Sequence, residues 1–108
     1  MPEKFYQIVL DEKNSIFVYV ETAMGKVTAF VVKYLAIIDD EEFEILRYDS
    51  GHGVPHIDIL DPQGKTMQKI WLSDFTFKEA LVHAKKDIKE HYQLYRERFI
   101  LWKNVEEQ

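Results

Sequence analysis

The chain has 108 residues, a net charge of −5 at neutral pH and an apolar content of 46%, enough for one domain with a single modest core. It has no cysteine, which excludes disulfides, thiolate catalysis and cysteine-ligated zinc. No apolar run reaches the ~18 residues of a membrane span, and the opening MPEKFYQ lacks the basic and apolar regions of a secretory signal, so a cytoplasmic protein with one domain over residues 1–108 and no membrane partner is expected.

The elements follow in chain order. KFYQIVL reads as a short strand ended by the polar turn DEKN. SIFVYVET comes next, with Ile16, Val18 and Val20 on one face and Phe17 and Tyr19 on the other. AMGK is a glycine-containing turn. VTAFVVKYLAIID is apolar on both faces, as a central strand would be, and the acidic DDEE closes it. FEILRYD is the fourth strand, SGHGVP a loop, HIDIL the fifth strand, DPQG a turn and KTMQKIWL the sixth.

From Thr76 the apolar period changes from two to about 3.6. Thr76 followed by Glu79 has the spacing of a capping box. Phe77, Leu81, Ala84, Ile88, Tyr92, Tyr95, Phe99 and Trp102 then form one stripe without proline or glycine. The expected fold is α+β: an antiparallel meander of about six strands (residues 4–72) covered on one face by one long helix (residues 76–104). A helix of about 42 Å exceeds the ~30–35 Å breadth of such a domain. Its far end is therefore expected to overhang, with Leu94, Ile100 and Leu101 off the stripe. Either it bends near Lys89 or it packs on a second copy, and a homodimer through this helix is the expectation. Lys86 and Glu90 read as a surface pair four residues apart.

The densest chemistry is the run RYDSGHGVPHIDILDPQG, Arg47 to Gly64. Strand alternation places Arg47 and Asp49 on one face with Phe43 and Ile45, and His56 and Asp58 on one face with Leu60. If Ser50 to Pro55 form the loop, antiparallel pairing sets Asp49 beside His56 and Arg47 beside Asp58, with His52 swinging between two glycines toward the same spot. Three readings fit. The cluster is structural; or the two histidines act as general acid and base beside a phosphate-holding arginine, the inventory of metal-independent RNA cleavage; or His52 and His56, with Asp49 or Asp58, bind a divalent metal. His83 and His91 lie more than two helical turns apart and read as satisfied or exposed side chains.

The same run resembles a small prokaryotic family of uncharacterised strand-rich proteins, through RYD, then HG, then H-x-D-x-L, then a proline–glycine turn. More distantly, LRYD followed by two histidines is similar to the TumE-like toxins of toxin–antitoxin modules. That resemblance implies an intracellular toxin acting on nucleic acid or its processing, with an antitoxin or RNA as partner. The matching positions are Arg47, Tyr48, Asp49, His52, His56 and Asp58. In the catalytic reading His56, oriented by Asp49, is the base, His52 the acid and Arg47 the phosphate holder. The alternative is a non-catalytic dimeric interaction module whose charged hairpin is structural. Neither reading requires a cofactor. Acidic residues outnumber basic ones up to Phe75 and the two balance beyond it, so neither half has the basic excess usual in nucleic-acid binders.

Overall fold

A computed structural model describes residues 2–107; the ends of the expected domain, Met1 and Gln108, lie outside the described residues. Six strands form one antiparallel sheet in sequential order. They are β1 (Glu3–Asp11), β2 (Asn14–Ala23), β3 (Lys26–Ile38), β4 (Glu41–Asp49), β5 (His56–Leu60) and β6 (Thr66–Trp71). The helix α1 (Phe77–Glu106) follows and covers one face. The expected α+β meander is the observed fold. Two of the tight turns have their central residues in the left-handed region: Met24 and Gly25 between β2 and β3, Asp39 and Asp40 between β3 and β4. Two successive positive φ values suit the twist of adjoining strands.

The core lies between helix and sheet. Alternation supplies Ile16 and Val18 from β2 and Phe30, Val32, Tyr34, Ala36 and Ile38 from β3, all buried. The helix answers with Ala80, Leu81, Ala84, Ile88 and Phe99. The capping box at its start is formed: the Thr76 hydroxyl accepts from Glu79 N at 3.1 Å, and the Glu79 carboxylate accepts from Thr76 N at 2.9 Å.

The expected overhang does not occur. The helix runs 30 residues without a break, about 45 Å. However, β3 is 13 residues long, about 43 Å of extended chain. The molecule is therefore elongated, 50 × 27 × 22 Å, and the helix lies along its own sheet. Phe99 packs on Phe43 with ring centroids 5.3 Å apart. Lys103 reaches Asp39, and Gln63 reaches Glu106. The bend near Lys89 is likewise absent. Leu94 and Leu101 remain exposed, whereas Ile100 packs against the core.

Strand β4 departs from strict alternation. Tyr34 pairs with Leu46 but Leu35 pairs with Glu44, so Ile45 is an extra residue in the ladder. This bulge lets Ile45 and Leu46 both be buried. It also puts Phe43 on the helix side, away from Arg47 and Asp49; Glu44 takes the expected place of Phe43.

Three phenols at the seam between helix and sheet are held far above their ordinary range. Burial is the main cause for Tyr34, Tyr48 and Tyr95, and for the last two hydrogen bonds to the Asp87 carboxylate add to it. In the unfolded chain a tyrosine titrates near pH 10, so above that pH the unfolded state releases protons that the folded state keeps. The stability these groups contribute is therefore present below about pH 10 and is lost as pH rises toward the folded values. Thermal melts at pH 8, 10 and 11.5 should show a falling midpoint above pH 10, and Tyr48→Phe should make that fall shallower.

Candidate functional site

The register builds one continuous surface on the face away from the helix. Phe5, Tyr19, Val31, Asp49, His56 and Trp71 form one row across all six strands. Gln7, Phe17, Lys33, Arg47, Asp58 and Lys69 form the next. Aromatic rings thus flank both edges, and charges fill the middle. The pairings expected from the sequence, Asp49 with His56 and Arg47 with Asp58, are the ones found.

Those pairings do not give all the expected contacts. Asp58 is the centre of the cluster: Arg47 Nη2 lies 3.6 Å and His56 Nε2 3.5 Å from its Oδ2, and Lys69 Nζ lies 3.2 Å from its Oδ1. Arg47 also meets Glu44 at 3.1 Å and Asp49 at 3.7 Å, and Lys33 meets Glu44 at 3.4 Å. Asp49, expected to orient His56, instead spends its Oδ1 on the backbone N–H of Gly51 at 2.6 Å. The carboxylate nearest His56 is that of Asp58, two residues along its own strand. The other ring nitrogen, Nδ1, faces the Val54 carbonyl at 3.1 Å. Both nitrogens of His56 thus face acceptors, and a neutral ring donates to only one of them.

This surface is closed rather than open, but its hydrogen bonding is incomplete: among the described residues Glu44 Oε2, Arg47 Nε and Asp58 Oδ1 are buried without a hydrogen-bond partner. His56 is 2% and Asp58 4% exposed, although no helix covers them. Their cover comes from neighbouring side chains: the Trp71 ring packs tilted against that of His56, centroids 5.2 Å apart, and Arg47 and Lys69 lie against Asp58. An enclosed cleft of about 160 Å³, lined by Gln7, Asn14, Leu35 and Glu42 among others, lies farther along the sheet, away from His56 and Asp58. Among the described residues no three histidine, aspartate or glutamate side chains gather as metal ligands, so His52, His56 and the adjacent aspartates are not drawn together as the metal reading requires.

His52 stands apart. It is exposed, its ring centroid is 6.1 Å from that of His56, and its φ is 69°. A side chain in the left-handed region costs about 1 kcal/mol that glycine avoids. His52→Gly should therefore raise stability by about 0.5–1 kcal/mol, measurable by urea titration. A histidine kept at a position suited to glycine is a reason to look for a role.

A further cluster escaped the sequence reading. Asp87 Oδ2 accepts from the Tyr48 hydroxyl at 2.6 Å, and its Oδ1 from Tyr95 at 2.7 Å; His91 Nδ1 lies 2.9 Å from Oδ1. Tyr48 is buried, and the ring of His83 sits edge-on to it at 6.0 Å. Tyr48 of the RYD run thus points to the helix while Arg47 and Asp49 point to the open face. The four-residue step from Asp87 to His91 was the one visible signal. The link to Tyr48 joins residues 39 apart, and nothing local announces it.

No curated protein and no solved structure matches this chain significantly. A family model described as a domain of unknown function, DUF7718, matches residues 1–105. With nearly its whole length inside that match, the chain belongs to the DUF7718 family.

Proposed function

We propose that the chain is a non-catalytic interaction module that docks a partner protein on the open face of its sheet. The observation that supports this reading is the burial of His56 and Asp58 beneath Trp71, Arg47 and Lys69 on a face without a helix. Buried groups enclosed by neighbouring rings and opposite charges do not leave a general base free to meet substrate. Around that closed centre Phe5 is 61% and Trp71 51% exposed. Large aromatics beside an arginine are the usual anchors of protein interfaces, and water-facing apolar rings on this scale mark docking surfaces. The open face mixes Lys33, Arg47 and Lys69 with Glu44, Asp49 and Asp58, which suits a protein partner better than a phosphate backbone.

A second reading rests on His52. An exposed imidazole 6.1 Å from the ring of His56, which itself sits one row from Arg47, is the remaining support for TumE-like phosphodiester chemistry, with His52 as acid, His56 as base and Arg47 on the phosphate. One experiment separates the two. The purified chain and its His52→Ala variant are incubated with single-stranded and structured RNA between pH 5 and 8, and each is induced in a bacterial host. Because His52 is exposed, that variant stays folded. Intact RNA and unchanged growth support the module. Cleavage or growth arrest by the wild type that His52→Ala abolishes would overturn it. For the docking face, Phe5→Glu and Trp71→Glu should each abolish partner capture that the wild type shows.

A further inference from the structure

The helix carries a second surface on its solvent side. Lys78, Val82, Lys85, Lys86 and Lys89 recur at spacings of three and four, so they share one side of α1. Two adjoining shallow depressions run along it. One is lined by Lys78, Glu79, Val82, His83 and Lys86, the other by Val82, Lys85, Lys86, Lys89 and Glu90. Val82 is exposed and common to both. Among the described residues none of these four lysines has a carboxylate within 4 Å. The expected Lys86–Glu90 pair is not formed. Glu79 is committed to the helix cap, and Lys85 donates to the Tyr6 hydroxyl at 3.1 Å. A chain of net charge −5 therefore keeps a stripe of cations unanswered by its own acids.

The acids lie at the other pole. Phe77 packs on Phe30 near the start of β3, and Phe99 packs on Phe43 near its end, so the lysine half of the helix and the β3–β4 turn occupy opposite ends of a 50 Å molecule. That turn, Asp39–Asp40 with Glu41 and Glu42, projects exposed, and among the described residues only Asp39 of the four has a cation, Lys103. Glu106 and Glu107 stand at the same end. Exposed Ile37 sits two residues before the acidic turn, as Val82 sits among the lysines. The two poles thus carry opposite charges, each beside an exposed apolar side chain.

We propose that two copies pair antiparallel, the acidic β3–β4 turn of each seated on the lysine stripe of the other. A two-fold axis makes the contact twice and closes the assembly. Nucleic acid is a poorer occupant, because Glu79 and Glu90 flank the stripe and the whole chain repels phosphate. The lysine stripe lies on the helix side; the turn meets it through its tip, with Ile37 and Glu42 on the open-face side of their strands.

The test is sedimentation velocity at 50 mM and 500 mM salt on the full chain. It compares the wild type, a stripe variant (Lys86→Glu with Lys89→Glu) and a turn variant (Glu41→Lys with Glu42→Lys). All four positions are exposed, and circular dichroism checks that each variant is folded. The wild type should dimerise at low salt and dissociate at least tenfold more readily at high salt. Each variant alone should be monomeric at low salt, and an equimolar mixture should regain the dimer, since both contacts are then again between unlike charges. A wild type that stays monomeric at low salt, a salt-insensitive dimer, or a mixture that fails to associate would each overturn the proposal. A monomeric wild type whose stripe binds polyglutamate would assign that surface to a foreign acidic partner instead.

Discussion

Replacing Asp87 with alanine should cost about 3 kcal/mol of folding stability. The carboxylate is largely buried and takes the hydroxyls of Tyr48 and Tyr95. Hydrogen bonds to a charged acceptor contribute more than neutral ones, and a hydroxyl left without a partner in the interior adds its own desolvation cost. Tyr48 is the decisive partner, because it is fully buried and no water can replace the lost acceptor without opening the helix–sheet seam. Tyr48→Phe alone should cost only about 1 kcal/mol, since Asp87 keeps Tyr95 and His91. The double variant should therefore be less damaged than the sum of the two, by about 1 kcal/mol or more. Urea unfolding of the four proteins checks this; strict additivity would mean that the Tyr48–Asp87 bond contributes nothing.

Phe99→Ala should cost more, about 3–5 kcal/mol. The ring is fully buried against Phe43 and belongs to the main core. Removing it leaves a cavity the size of a ring beneath the last turns of α1. The loss should be felt locally as well: amide exchange from residue 99 to the end of the helix should accelerate more than that around Ile88. If this end of the helix were instead held by a partner, the substitution would alter the association state and leave the monomer's melting temperature nearly unchanged. That result would contradict the packing described above.

The strand half was legible because alternation fixes faces residue by residue. Val18 and Phe17, or Val32 and Lys33, divide between inside and outside as their neighbours require. The loop length from Ser50 to Pro55 then fixed the register of the charged hairpin. What alternation could not foresee was an interruption of itself. Ile45 is as apolar as Leu46 and carries no mark of a bulge, yet its insertion moved Phe43 to the other face. The length of the helix misled for a related reason: an average domain radius does not know that β3 is 13 residues long. Contacts settled by side-chain reach rather than by register, such as Asp49 turning to Gly51 and Asp58 receiving His56, were beyond any reading of spacing.

The sequential strand order also sets how this protein can be made. Every strand pairs with the one synthesised just before it, so the sheet can zip up as the chain leaves the ribosome, with no wait for a distant partner. The helix comes last. At about 5–20 residues per second its 30 residues take roughly 1.5–6 s to emerge, and for that interval Ile16, Val18, Phe30, Val32 and Tyr34 have nothing over them. A nascent chain halted near Phe75 is a nearly finished sheet with one greasy side, the form in which chaperones and proteases would meet it.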